Sequence, residues 1–560
     1  MAGLAASFGS GAMTNSIAEL EGADCLFVIG SNTTEAHPIV ALRIKAAVDK
    51  HGARLIVADP RRIDLVRFAE LHLPQRSGTD ALLVNAMIHV IIDEGLEDKH
   101  FVATRTENFA ELAESVAPCT PEVAELTSGV PADDIRAAAR AFATARRAAI
   151  VYAMGITQHT TGTDNVKALA NLAMLTGNVG LESTGVNPLR GQNNVQGACD
   201  LGALPNVFPG YQKVTDPALR EKFAKAWGRP MPEEPRLTVV EILQAVDEGR
   251  IKALYCMGEN PVLSDPNANH TRAALGKLDL LIVQDIFLTE TAQYAHVVLP
   301  SACFAEKDGT FTNTERRVQR LRKALDPPGQ ARADWEIIAD IATRMGCPMA
   351  WETPAEVMDE IAALTPIYGG ISYERLEGEG LQWPCPTPDH PGTPYLHKGT
   401  FSRGLGHFHA TPFKEAAELP DDDYPFLLST GRVLYHFHTA TMTRQSHGLD
   451  ELEPGGGIQV NPADAKKLRI KQGELVEVAS RRGTVQAKAL LTDRLPEGMV
   501  YMPFHWREAS ANVLTNDALD PVAKIPEFKV CAVKLTKATA TAPKRRSPRR
   551  KGRRKKPAKA

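Results

Sequence analysis

The chain has 560 residues, of which 43% are hydrophobic, 23% charged and 6% aromatic. That content suits a folded protein of about three or four domains and excludes an intrinsically disordered chain, and no apolar run approaches the roughly 20 residues of a membrane span. The formal net charge of −3 hides an asymmetry, because residues 536–560 hold twelve Lys/Arg and no Asp/Glu, which leaves the body strongly acidic.

The N-terminal stretch MAGLAASFGSGAMTNSIAEL lacks a basic region and a long apolar core, so no secretory signal is expected and the default location is cytoplasmic. From Cys25 the pattern is that of a βαβ unit: an apolar run over 25–29, a polar loop, a helical period over 38–50, then the β-rich ARLIVAD. Such units imply a parallel sheet. The pattern recurs at RRAAIVYAMG followed by DNVKALANLAMLTG, at IKALYCMGENP, and at LDLLIVQDIFLTETAQYAHVVLP. Ligands of open α/β sheets lie off the carboxyl ends of the strands. Gly30-Ser31-Asn32, Asp59-Pro60-Arg61, Met154-Gly155, Met257-Gly258-Glu259-Asn260 and Gln284-Asp285 are therefore the candidate ligand loops.

After about residue 350 a helical segment gives way to a Pro-, Gly- and His-rich stretch over 380–420, which reads as a linker or loop-rich cap. From Tyr424 onward short strands dominate, with NPADAKKLRI as an inserted helix, which predicts a small β-barrel.

Gly9-x-Gly11 lacks a third glycine and a preceding strand, so it is no nicotinamide fingerprint, and there is no P-loop. The eight cysteines are scattered with no C-x-x-C pair, which argues against a zinc ribbon, an iron–sulfur site or a disulfide framework within the chain. His407-Phe408-His409 and His436-Phe437-His438 are expected to place paired imidazoles on one face of a strand; without a nearby thiol or carboxylate, packing or an anionic ligand suits them better than a metal. In NPLRGQNNVQGACDLG, Arg190 stands among amides and glycines, where a single guanidinium would dominate the local field and could clamp a small oxyanion. A surface arginine in a polar loop is the plainer alternative.

The segments MGITQHTTGTDNVKALANLAMLTGNVG, GVNPLRGQNNVQGACDLGALPNVFPGYQ, VQDIFLTETAQYAHVVLP, GTFTNTERRVQR and STGRVLYHFHTATMTRQS resemble the catalytic α subunit of molybdenum- or tungsten-dependent formate dehydrogenases. The resemblance runs from residue 2 to about 535. It implies an α/β fold with two Rossmann-like halves, residues 1–190 and 191–345, then a connecting region 346–420, a six-stranded barrel 421–535 and a basic disordered tail 536–560.

The same resemblance implies a bis(molybdopterin guanine dinucleotide) cofactor carrying Mo or W, with Arg190 binding and orienting formate. One dinucleotide is expected along Gly30, Ser31, Asn32, Glu35, His37, Asp59, Arg61, Gln75, Gly78 and Asp80, joined near the pterin by Met154, Gly155, Thr157, Gln158, Gly191 and Gln192. The second is expected along Met257, Gly258, Glu259, Asn260, Gln284, Asp285, Ser301, Asn313, Glu315 and Asp334. Thr430, Gly431, Arg432, His436, His438, Met442, Asn512 and Lys529 follow from the barrel. No protein metal ligand is expected within the chain. In the family an N-terminal region precedes Met1 and carries a [4Fe–4S] cluster and the cysteine or selenocysteine that ligates the metal. Its absence is expected to reflect either a selenocysteine codon read as a stop or a cysteine-containing parent trimmed by a wrong start, and the chain alone is expected to be inactive.

Implied partners are formate and separate iron–sulfur and flavin electron-transfer subunits. Two other readings stand beside this one: a non-catalytic scaffold remnant that still binds pterin, and nucleic-acid binding by the basic tail, which is disfavoured as a main function.

Overall fold

The computed structural model describes residues 1–538; most of the basic tail expected at 536–560 lies outside the described residues. The first half is built on a five-stranded parallel sheet ordered Leu71–Leu73, Arg54–Ala58, Cys25–Ile29, Ala148–Tyr152, Gly185–Pro188. Its two central strands are buried along their whole length, as expected when helices cover both faces. Side-chain alternation sorts the strands into two cores. Phe27, Ile29, Ile56, Ile150 and Tyr152 pack with helices Asp80–Asp93, Ala132–Ala143, Gly162–Leu175 and Ala2–Phe8. Leu26, Val28, Leu55, Val57, Ala149 and Val151 face helix Pro38–His51 through Val40, Ile44 and Ala47.

The strand order reverses between Cys25–Ile29 and Ala148–Tyr152. At such a switch point the loops leaving adjacent strands part and open a crevice. Gly30 sits there at φ +57°, and a Cβ on it would lie 2.8 Å from the Gly155 carbonyl carbon and the Ile156 nitrogen. Only glycine lets these two loops touch, and Gly155 N donates to Gly30 O at 3.0 Å.

The second half carries a smaller parallel sheet of three strands, Val297–Pro300, Leu280–Asp285 and Ala253–Met257. Leu254, Cys256, Leu281 and Val283 pack against helices Val239–Asp247 and Ala268–Leu275. On the other side Tyr255, Met257, Leu280, Val297 and Val298 are exposed.

The 380–420 stretch is strapped onto the first half. Phe401 and Phe408 are fully buried in its larger core, residues 406–407 pair with 106–107, and Asn85 and Asn171 donate to Thr411 O and His409 O. From residue 426 six strands close into a barrel in the order Phe426–Gly431, Met499–Pro503, Gly457–Val460, Thr484–Leu491, Leu475–Ala479, Cys531–Lys537. Helix Pro462–Leu468 interrupts them, capped by Asn461. The barrel is seated on the first half: Arg494 bonds Asp64 at 2.9 Å, Asp520 accepts from Thr163, and Glu527 accepts from Thr160. No helix among the described residues is long and apolar enough to cross a membrane.

A candidate dinucleotide cavity between the first half and the barrel

A cavity of about 530 Å³ opens at the switch point, floored by the first sheet's loops and roofed by the barrel. The structure brings Gly30, Ser31, Asn32, Glu35, His37, Asp59, Arg61, Gln75, Asp80, Met154, Gly155, Gln158, Gly191, Gln192, Glu259, Thr430, Gly431, Arg432, His438, Asn512 and Lys529 to its wall. These residues come from strand ends far apart in sequence. The first sheet's parallel strands deliver their loops to one edge, Glu259 follows a strand of the second sheet, and Thr430, Gly431, Arg432, His438, Asn512 and Lys529 come from the barrel region.

The wall gathers Arg61, Arg432 and Lys529 beside the carboxyl groups of Glu35, Asp59, Asp80, Glu259 and Asp265. Arg61 stacks its guanidinium 3.8 Å from the centre of the Tyr501 ring and lies 3.8 Å from the Asp59 carboxylate. Burial pushes the Asp59 carboxyl up, with Arg61 pulling the other way. Burial, with Arg61 and Arg432 nearby, lowers Lys529 to about 7 while its ammonium donates to Thr430 O at 2.6 Å. Burial likewise lowers Arg432 from its ordinary range, and lowers His438 to about 4 with Arg432 adding to the effect. Three cations this close favour an anion, which would relieve their mutual repulsion.

Polar atoms without partners line the same wall. Ser31 Oγ, His37 Nδ1, Gln75 Oε1, Asp80 Oδ2, His159 Nδ1 and Asp265 Oδ2 are buried and unpaired among the described residues. Unpaired buried polar atoms are costly, and their concentration at one cavity marks a site shaped for a polar ligand. His37 shows the required complement. Burial lowers His37, so its ring is neutral; Nε2 then donates to Arg190 O at 2.7 Å and Nδ1 is left as an acceptor. His159 Nε2 lies 2.8 Å from Gly155 O and 3.8 Å from Asp80 Oδ2. Asp80 accepts from Gln75 Nε2 at 2.9 Å through one oxygen, while the other makes no hydrogen bond among the described residues. A guanine-type ring with N–H donors matches these acceptors, and a diphosphate matches the neighbouring Arg61, Arg432 and Lys529.

Other expected residues lie off this cavity. Arg190, Gly78, Thr157, Met257, Gly258, Asn260, Gln284, Asp285, Ser301, Asn313, Glu315, Asp334 and Met442 do not line it, although Gly191 beside Arg190 does, and His436 lines an adjoining hollow of about 240 Å³. Around the second sheet several polar groups pair with one another, although Ser301 Oγ is buried without a hydrogen-bond partner among the described residues. Gln284 donates to Asp334 at 2.7 Å, Lys307 pairs with Asp334, and Ser301 N donates to Asp285 O at 3.1 Å. Asn313 and Glu315 stabilise a turn, with Glu315 accepting from Ile17 N at 2.7 Å and Arg317 Nε at 2.9 Å.

Two sequence expectations are corrected. Residues 436–438 form a loop, since the barrel strand ends at Gly431 and His438 takes φ +48°. Both His436 nitrogens face protein partners, Thr443 Oγ1 at 3.0 Å and Glu453 O at 2.8 Å. His407 and His409 have ring centres 4.6 Å apart, but their strand is only residues 406–407 and no cluster of three or more metal-type ligands occurs among the described residues. Nor does Arg190 govern its field alone. A Cβ at the neighbouring Gly191 would fall 2.5 Å from Arg432 Nη2, so a second guanidinium from the barrel presses on that residue. Arg190 itself donates from Nη2 to Gly11 O at 3.0 Å and from Nε to Gln196 at 2.9 Å. Sequence reasoning missed Tyr501, His159 and Asp265. His159 adjoins the candidate Gln158, whereas Tyr501 and Asp265 carried no local signal.

A two-part α/β body closed by a barrel over a polar cavity is the architecture of a protein that holds a large polar ligand. Residues 4–344 match the molybdopterin oxidoreductase family model and residues 426–532 match the Molydopterin dinucleotide binding domain, so the chain belongs to the molybdopterin oxidoreductase family. Its relatives include the F420-dependent formate dehydrogenase subunit alpha of Methanocaldococcus jannaschii, 53% identical over 537 residues, covering 95% of this chain and 79% of that protein. Formate dehydrogenase H of Escherichia coli is 45% identical over 543 residues, covering 96% of this chain and 76% of that protein. Acetylene hydratase from Pelobacter acetylenicus shares the fold with a TM-score of 0.74 at 24% identity, covering 96% of this chain and 80% of that one. The unpaired polar atoms and clustered cations of the cavity fit one pterin dinucleotide.

Proposed function

We propose that the chain is the catalytic part of a formate dehydrogenase, oxidising formate to CO2 with a bis(molybdopterin guanine dinucleotide) of Mo or W. Iron–sulfur and flavin subunits would receive the electrons. The observation that carries this reading is the cavity: six unpaired polar atoms and three cations at the switch point, in a chain whose relatives are named formate dehydrogenases.

When bound, the metal-pterin group would accept the two electrons released as the C–H bond of formate breaks. The chain's own residues do the rest. Arg61, Arg432 and Lys529 neutralise diphosphate charge, while Asp80 and His37 accept N–H or O–H groups. Met257–Asn260, Gln284, Asp285 and Asp334 would serve a second dinucleotide once their internal pairs open. Arg190 offers its free Nη1 edge to the formate carboxylate, a planar donor meeting a planar acceptor.

Metal and pterin analysis of the holoenzyme, with formate-dependent dye reduction, tests the proposal. Pterin with molybdenum or tungsten, together with dye reduction, is expected. Cofactor bound without turnover would favour the scaffold reading instead, and no pterin at all would remove both.

A further inference from the structure

Behind Arg190 lies a buried polar network outside the cavity. Gln196 and Asp200 stand one helical turn apart on helix Val195–Asp200. Gln196 Nε2 donates to Asp200 Oδ1 at 2.7 Å and to the Tyr211 hydroxyl at 3.0 Å, and that hydroxyl donates to the same Oδ1 at 2.6 Å. The other oxygen, Oδ2, accepts from the Tyr368 hydroxyl at 2.8 Å and the Trp383 indole at 2.6 Å. Gln196 and Asp200 are buried to within 1% of full exclusion from solvent, and Tyr211 is held in the left-handed region at φ +60°, uncommon for a bulky residue.

These contacts leave the Gln196 amide one orientation. Nε2 can only donate and has both protons taken by Asp200 and Tyr211; Oε1 can only accept and therefore faces Arg190 Nε at 2.9 Å. A flipped amide would set Oε1 against a carboxylate and Nε2 against the guanidinium N–H, two repulsions in place of two bonds. The guanidinium is thus held along its Nε edge by Gln196 and at Nη2 by Gly11 O, and its backbone N donates to Thr314 Oγ1 at 3.0 Å.

We propose that Asp200, through Gln196, fixes the direction in which Arg190 presents its guanidinium, making both residues positioning groups for the oxyanion that Arg190 binds. The proposal rests on the formate reading for the identity of that oxyanion. Asp200 gathers donors from residues 196–211 and from the connecting region at 368 and 383, so the direction of Arg190 depends on segments that never reach the cavity.

The test uses holoenzyme carrying Gln196→Leu or Gln196→Glu, with metal and pterin content measured on every preparation. Gln196→Leu should raise the Kd for formate, read calorimetrically without an electron acceptor, and KM in parallel, by about tenfold or more, the effect of losing one charge-assisted hydrogen bond. In Gln196→Glu the introduced carboxyl and Asp200 share one proton at low pH, where the protonated side chain mimics the amide; once both ionise, a second anion stands beside Arg190. Formate affinity in that variant should fall as pH rises, with wild type lacking this dependence. An unchanged Kd in Gln196→Leu, or identical pH profiles, would overturn the relay. If wild type neither binds nor oxidises formate, the proposed function fails on its own. A crystal structure of either variant then decides the relay: a displaced Arg190 guanidinium supports it, and an unmoved one removes it.

Discussion

The two parallel sheets of this molecule end in similar-looking loops, yet their polar groups behave differently. At the first sheet, strand order reverses, the barrel closes over the gap, and buried acceptors such as Asp80 Oδ2 and His37 Nδ1 have no partner. At the second, three strands run without a reversal, and Gln284, Asp334 and Lys307 satisfy one another. A Gly-, Asn- or Asp-tipped strand therefore supplies the chemistry of a site, whereas most of the unmet hydrogen-bonding demand gathers where the first sheet's topology opens a gap and the barrel covers it; the second half adds Asp265 Oδ2 and Ser301 Oγ. Opening the second site requires exchanging internal pairs for ligand contacts; filling the first requires no such exchange.

The sharpest way to break this comparison is at its glycines. Gly30→Val should cost about 3–5 kcal/mol in denaturant unfolding and prevent cofactor uptake, because its Cβ meets the Gly155 backbone at 2.8 Å and its φ is +57°. Equal stability of this variant and wild type would show that the two loops need not touch.

Next in size is Lys529→Met. In the cofactor-free protein Lys529 is lowered to about 7 by burial and by Arg61 and Arg432. The folded state therefore binds fewer protons than the unfolded state between pH 7 and the ordinary lysine range, and stability rises with pH across that window. The variant should lose this slope and melt a few degrees higher below pH 7, while binding guanosine diphosphate about tenfold or more weakly. Wild-type affinity for the diphosphate should decline above pH 7 as the ammonium deprotonates, a trend that calorimetry at several pH values reads directly.

Asp265 gives a smaller effect of opposite sign. Burial raises its carboxyl to about 7, and one oxygen lacks a partner. Its contribution to stability is complete below the ordinary carboxylate pKa and is lost as pH rises through about 7. Asp265→Asn should flatten that decline in thermal melts of the cofactor-free protein; an unchanged pH profile would show that Asp265 stays ionised. Smallest of all, Gly258→Val should cost about 1–2 kcal/mol, since φ +63° strains any side chain there but no atom lies within 4 Å of the added Cβ. A loss matching that of Gly30→Val would erase the difference between the two sheets.

Much of this architecture was legible before any coordinates. The apolar run 25–29, the helical period 38–50 and the β-rich ARLIVAD are local patterns, and they became strand Cys25–Ile29, helix Pro38–His51 and strand Arg54–Ala58. Loops at 30–32, 59–61 and 154–155 were legible as candidates because a strand end announces itself in a few residues. Arg190 stood out for the same reason, a charge among neutral amides.

Sequence by itself determined the parallel α/β pattern, the barrel and the residue types of the site, since these follow from periodicity and composition within short windows. Only the tertiary structure decided which polar atoms stay unpaired, that Arg432 presses on Gly191, that Tyr501 lies under Arg61, and that Asp200 orients Arg190 through Gln196. The physical reason is that hydrogen-bond saturation and charge proximity are set by groups tens to hundreds of residues apart, and no local pattern records which of them will meet.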